Sequence, residues 1–194
     1  ENLLVCQVDG HEKIKYDGPG DFVGRPFPGV ELEIAPDGEV LLRSPQLFKR
    51  YLHLETREDW HATGDLGELR PGGSLALTGR KKDMIIRGNM NIYPGLFEPT
   101  INRIPGIREA VLVGIFDEKR HDERVFLVIE AEPGKILTEE KIISQLRNGP
   151  FSIDREALPD AIFFQKLPRR GRSNKVDRQF LRENLSIFSQ KNSP

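Results

Sequence analysis

Cysteine is nearly absent from this 194-residue chain: Cys6 is the only one. A single thiol excludes an internal disulfide framework and suits a reducing compartment, which points to the cytoplasm. Cys6 falls in the apolar run from Leu3 to Val8, so it reads as buried packing rather than a nucleophile. No stretch approaches 18 consecutive apolar residues, so none reads as a transmembrane helix. The N-terminus, ENLLVCQVDG, has no basic start ahead of an apolar core and is not read as a signal peptide. It begins abruptly, as a chain cut from something longer would. A net charge of −1 gives no global field for nucleic acid. His11, His53, His61 and His121 show no metal-ligand spacing, and no metal site is expected among them. Repeats, low-complexity tracts, G-x-G-x-x-G and Walker-type loops are all missing. Asn184-Leu-Ser186 matches a glycosylation sequon, which without a secretory signal is taken as chance.

What is present is ordinary globular composition, 37% hydrophobic and 30% charged. Residues 22–52 read as β-rich. Val30-Glu-Leu-Glu-Ile34 alternates apolar and polar, Pro36-Asp-Gly38 turns, and Glu39-Val-Leu-Leu-Arg43 returns as a partner strand. A second hairpin is expected over Gly67–Gly79, turning at Pro71-Gly-Gly73. After Arg80 the character changes. Ile85-Ile86 reads as a short strand, Asn91 to Pro94 as a loop, and residues 95–103 as a helix distorted by Pro99. Ala110–Ile115, Arg124–Ile129 and Ile162–Phe164 read as strands. Thr138 is expected to cap a helix through Leu146, ended by Asn148-Gly-Pro150, and Val176 to Leu185 to form a last helix. From Lys166 to Pro194 there are eight Lys or Arg against Asp177 and Glu183. This second half, roughly 110 residues, is long enough for its own core.

Four segments occur in order: Gly24-Arg-Pro-Phe-Pro-Gly-Val30; Trp60-His-Ala-Thr-Gly-Asp-Leu-Gly67; Gly79-Arg-Lys-Lys-Asp-Met-Ile-Ile86 with Gly88 and Asn91-Ile-Tyr-Pro94; and Pro168 through Asn174-Lys-Val-Asp-Arg178. Together, spanning residues 20–180, they resemble the acyl-adenylate-forming superfamily, which includes acyl-CoA synthetases, peptide-synthetase adenylation domains and luciferases. The wording of the last two sits nearer the fatty-acyl and β-lactone-forming branches. The resemblance implies an α+β fold: residues 1–80 as the β-rich end of the large ATP- and acyl-binding domain, and 81–194 as a small mixed α+β C-terminal lid domain.

Asp65 follows Gly64, which lets the backbone turn tightly and present a carboxylate from a loop. A carboxylate suits a ribose diol, and by resemblance Asp65 holds the ATP ribose; the bland alternative is a turn aspartate. Arg80, a fork-shaped donor, matches an arginine near the ribose and phosphate; otherwise it is a surface ion pair. Lys82 occupies the family's hinge position. Gly88 and Asn89 match the loop lining the route of the incoming thiol, although Asn89 and Met90 replace small or charged residues there. Asn91 either bonds an acceptor or caps the next turn. Lys175 matches the catalytic lysine. Attack of a carboxylate on the α-phosphorus builds negative charge that a positioned ammonium stabilises. Asn174 stands where the family has glycine, and the segment from Pro168 to Lys175 is one residue longer than usual.

The family's Gly- and Ser/Thr-rich phosphate loop does not occur in these residues, nor does the Y-G-x-T-E-like segment with its magnesium-associated glutamate. Both would lie upstream, in the missing N-terminal part of the same polypeptide. The function implied is an ATP-dependent carboxylic acid–CoA ligase, fatty acids included, using ATP, Mg2+ and CoA through acyl-AMP. One alternative adenylates a β-hydroxy acid and closes a β-lactone. Another, in a different class, is a non-enzymatic module using Lys166 to Arg182 as a nucleic-acid surface. Only Phe180 lies there for stacking, which counts against it.

Overall fold

The computed structural model describes residues 5–47, 60–172 and 174–191. Residues 48–52 of the expected β-rich stretch, His53 and Ser173 of the last motif lie outside the described residues. The chain divides into two compact units, Glu1–Lys82 and Asp83–Pro194.

The first unit carries β1 (Cys6–Gln7), a short helix α1 (Gly10–Lys15), β2 (Asp21–Pro26), β3 (Glu31–Ile34), β4 (Glu39–Arg43), β5 (His61–Leu69) and β6 (Leu75–Arg80). The strands form one sheet in the order β1-β2-β6-β5-β4-β3. The two hairpins read from sequence are both present. Glu31 pairs with Arg43 and Ile34 with Val40, while Leu69 pairs with Leu75 around the Pro71-Gly-Gly73 turn. Val40, Leu42, Leu66, Leu75 and Ala76 are buried. Cys6 is only half-buried, because β1 is a two-residue edge strand; burial still pushes its thiol pKa up.

The second unit begins with β7 (Ile85–Arg87) and β8 (Met90–Ile92). Asn91 is therefore in a strand, not the expected loop. Ile86 pairs with Asn91 and Arg87 with Met90, leaving Gly88-Asn89 as a two-residue turn with Gly88 at φ +57°. Glycine at the first central position of such a turn costs no steric strain. Pro94 is the first residue of α2 (Pro94–Ile101), where its missing N–H is harmless. Pro99 does not stop the helix. Ile101 is fully buried, and Asn102 N–H donates to the Glu98 carbonyl at 2.9 Å to close the end.

A three-stranded sheet follows, in the order β11-β10-β9. It comprises β9 (Ile107–Asp117), β10 (Asp122–Ala131), α3 (Glu139–Asn148) crossing over, and β11 (Ala161–Phe164) parallel to β10. Successive side chains of a strand point to opposite faces, so a strand covered on both sides reads as a continuous apolar run. Ala110, Leu112, Val125, Leu127 and Ile129 pack with Ile85, Ile92, Ile101, Ile142 and Leu146. Val111, Val113, Ile115, Phe126 and Val128 pack on the other face with Leu167, Leu181 and Leu185. Thr138 caps α3 as expected, its hydroxyl accepting from Lys141 N–H at 3.4 Å.

The chain closes with a small hairpin, β12 (Arg169–Arg170) and β13 (Lys175–Val176), then α4 (Arg178–Lys191). The expected helix from Val176 thus starts two residues late. Asp177 stands before its first turn, its carboxylate accepting from Phe180 N–H at 3.0 Å. Among the described residues no helix is long and apolar enough to cross a membrane.

Candidate active site

Asp65 and Arg80 occupy directly paired positions of β5 and β6, and Arg80 Nε lies 2.6 Å from Asp65 Oδ1. Asp65 is presented from a strand rather than from the loop expected. The tight turning read into Gly64 is nevertheless there, as φ +74° inside that strand. The Thr63 hydroxyl accepts from Asp65 N–H at 3.1 Å and donates to the Val40 carbonyl at 2.7 Å. An open cavity of about 470 Å3 is lined by Thr63, Gly64, Arg80, Lys81 and Lys82.

A cluster that sequence reasoning missed joins this cavity at Gly64 and Lys81. Glu39, 8% exposed, accepts from Gly64 N–H at 2.8 Å through Oε1 and from Lys81 Nζ at 2.8 Å through Oε2. Lys81 also donates to Asp37 Oδ2 at 2.6 Å. The Lys81 hydrogen bond holds the Glu39 carboxyl below its ordinary pKa, against burial, which pushes it up. The same donor lowers Asp37, and the two carboxylates, Asp37 foremost, raise Lys81. Lys81 is therefore held by two carboxylates, and it lines the cavity beside Arg80 and Lys82. The only sequence signal was a carboxylate opening a strand right after the Gly38 turn.

Gly88, Asn89 and Asn91 are gathered on one exposed hairpin, β7–β8. Its backbone is held by carboxylates of β10. Gly88 N–H donates to Asp122 Oδ1 at 2.8 Å, and Ile86 N–H to Glu123 Oε2. Asn91 does not cap α2, whose N-cap position is Tyr93 with no side-chain cap. Lys82 is the last residue of the first unit and the middle residue of a 3-10 turn, Lys81–Asp83.

Lys175 stands exposed on a third piece of structure, the β12–β13 hairpin, opposite Arg170. The hairpin is rooted. Leu167 is buried, Val176 packs on the same core cluster, Arg169 is ion-paired with Glu109, and Asp177 N–H donates to the Pro168 carbonyl at 2.8 Å. Asn174, immediately before Lys175, has φ +51°. That left-handed conformation is natural for glycine and tolerated by asparagine, so the departure at this position is conformationally conservative.

Arg178, three residues beyond Lys175, was only a motif letter in the sequence. It donates to Glu98 Oε2 at 2.6 Å and to the Leu112 carbonyl at 2.8 Å. Leu112 N–H in turn donates to Glu98 Oε1 at 2.8 Å. Leu112 lies on the open edge of β9, and the Arg178–Glu98 pair occupies the place of a neighbouring strand. Burial opposes the arginine's charge, but Glu98 and then Asp83 outweigh it and hold its pKa above the ordinary value.

No family model matches the chain. It is 36% identical over 169 residues to a CoA ligase of Mycobacterium tuberculosis named for a methyl-dioxo-octahydroindenyl propanoyl group, covering 82% of this chain and 32% of that protein. It is 45% identical over 102 residues to a 2-succinylbenzoate–CoA ligase of Lactococcus lactis, covering 50% of this chain and 23% of that one. In three dimensions it resembles ATP-bound MatB of Rhodopseudomonas palustris, with a TM-score of 0.77 and 28% identity over 90% of this chain and 38% of that one. It also resembles the o-succinylbenzoate CoA synthetase of Bacillus subtilis holding its acyl-adenylate, with a TM-score of 0.77 and 25% identity over 91% of this chain and 38% of that one. The chain spans about a third of the length of the curated relatives it matches.

Proposed function

Because the chain belongs to the acyl-adenylate-forming superfamily, in its acyl-CoA synthetase branch, we propose that it is the C-terminal part of an ATP-dependent carboxylic acid–CoA ligase. The carboxylate of the acid attacks the α-phosphorus of ATP, pyrophosphate leaves, and the CoA thiol then displaces AMP from the acyl-adenylate. The observation that carries this reading is the Asp65–Arg80 pair, whose arginine lines a cavity together with Gly64, the neighbour of Asp65, and Lys82. An ionised carboxylate only accepts hydrogen bonds and a guanidinium only donates them. Side by side they suit a ribose diol next to a phosphate. Glu39 supports that geometry by fixing Gly64, the residue before Asp65.

In this proposal residues 1–80 complete the large domain and 81–194 form the lid, pivoting at Lys82. Lys175 delivers positive charge to the reacting carboxylate and phosphate, while Gly88, Asn89 and Asn91 border the thiol's route. Magnesium would enter with the ATP phosphates and take its protein contacts from upstream residues. A cytoplasmic location is part of the proposal.

The test uses the full-length protein. Pyrophosphate release should require a carboxylic acid, and thioester should form only when CoA is added. Pyrophosphate release with no acid-stimulated component across short-, medium- and long-chain acids would overturn the reading. A 3-hydroxy acid consumed without CoA would redirect it to β-lactone closure.

A further inference from the structure

Asp83 is the first residue after Lys82, and its carboxylate faces α4 rather than its own turn. Oδ1 accepts from Arg182 at 3.0 Å, and Oδ2 lies 3.6 Å from Arg178 Nε. Arg178 is also held by Glu98 of α2 and the edge of β9, so Asp83, Arg178, Glu98 and Arg182 are joined in one ion-pair network. The side chains of Asp83, Glu98 and Arg178 are 15%, 13% and 19% exposed, where ion pairs are screened far less than at an open surface. The Lys175 hairpin runs directly into this set, since Val176 and Asp177 alone separate Lys175 from Arg178. The β7–β8 hairpin is fixed by different groups, Asp122 and Glu123 of β10.

We propose that Asp83 is a positioning residue that couples the pivot at Lys82 to Lys175 through Arg178 and Arg182. The inference rests on the ligase reading and on Lys175 serving its first half-reaction. Rotation at Lys82 moves Asp83 first. With its carboxylate clamped on α4, the movement reaches Lys175 without slack, and the ammonium arrives at one defined place. Loss of the clamp leaves the sheet, α2, the thiol-side hairpin and the core roots of the Lys175 hairpin in place but frees the start of α4, and Lys175 with it, to shift slightly. Misplacing a catalytic group by about 1 Å is enough to slow a reaction on the order of 100-fold.

The experiment compares wild type, Asp83→Asn, Lys175→Ala and the double variant of the full-length protein. Adenylation is followed by pyrophosphate release and thioester formation by supplying the acyl-adenylate. Asp83→Asn should lower kcat of adenylation about 10- to 100-fold with KM for ATP little changed, and thioester formation from supplied adenylate should stay near wild type. In the Lys175→Ala background it should have no further effect, because it acts only through that lysine. Asp83→Glu should recover part of the rate. A fall in both half-reactions together, or a full additional loss in the Lys175→Ala background, would mark Asp83 as merely structural and overturn the proposal. If Lys175→Ala itself leaves adenylation unchanged, the catalytic assignment fails instead, and the two failures are told apart.

Discussion

Arg80 Nε lies 2.6 Å from Asp65 Oδ1 because the two residues face each other across β5 and β6, and Arg80 lines the cavity with Thr63, Gly64 and Lys82. Each fixes the other's orientation. Asp65→Ala should therefore raise KM for ATP on two counts, the lost acceptor and a released arginine. Hydrogen bonds to charged groups contribute about 1.5–3 kcal/mol, on the order of 10- to 100-fold. Arg80→Lys keeps the charge but loses the fork, and should show a smaller rise. ATP-dependent kinetics of the full-length protein decide it; a change confined to the CoA dependence would refute the ribose assignment.

Lys175 is exposed on a rooted hairpin and preceded by left-handed Asn174. Lys175→Ala should slow adenylation by ~10²–10³, as expected for loss of one electrostatic partner of the transition state. Asn174→Gly should leave the rate near wild type. Asn174→Val forces a β-branched residue into φ +51°, costing about 1–2 kcal/mol, and should slow adenylation as the hairpin shifts. Equal rates for the glycine and valine variants would show that the turn does not set the lysine's place.

Glu39 and Asp37 have carboxyl pKa values held down by Lys81. A depressed folded-state pKa means that the unfolded chain binds more protons in acid. The stabilisation is therefore complete above about pH 5 and is lost as pH falls through the ordinary carboxylate range near about 4 and below. Lys81, raised, works in the opposite sense and loses its contribution only above its ordinary value of about 10.4. Glu39→Gln should flatten the acid limb of stability against pH, measured by urea unfolding from pH 3 to 7. An unchanged acid limb would remove Glu39 from this account.

Arg178→Ala should destabilise the fold by about 3–5 kcal/mol, since it leaves the Glu98 charge and the Leu112 carbonyl unpartnered in a largely enclosed place. Glu98→Leu combined with Arg178→Met should cost less than the two single changes added together. Denaturant midpoints measure this, and strict additivity would count against a coupled pair.

The hairpins at Pro36-Asp-Gly38 and Pro71-Gly-Gly73 were legible because alternation and turn chemistry are local. The strands Ala110–Ile115 and Arg124–Ile129 were legible as apolar runs, though four or five residues too short at their combined ends, where polar residues continue the ladder. The β7–β8 hairpin was read as strand and loop. Its Gly88-Asn89 turn carried a signal, but three-residue strands are too short for periodicity to register. The start of α4 was misplaced because Val176 belongs to the hairpin and packs in the core, which spacing alone cannot tell from a first helical turn.

By itself the sequence determined which local elements form and which motif residues stand in order, since turn preferences, caps and apolar periods act between near neighbours. Only the tertiary structure decided that Asp65 meets Arg80, that Glu39 holds Gly64, and that Arg178 seals the β9 edge against Glu98, 80 residues away. Those partnerships depend on strand register and on which face of each element is buried. Both are settled by the whole core closing at once, not by any single segment.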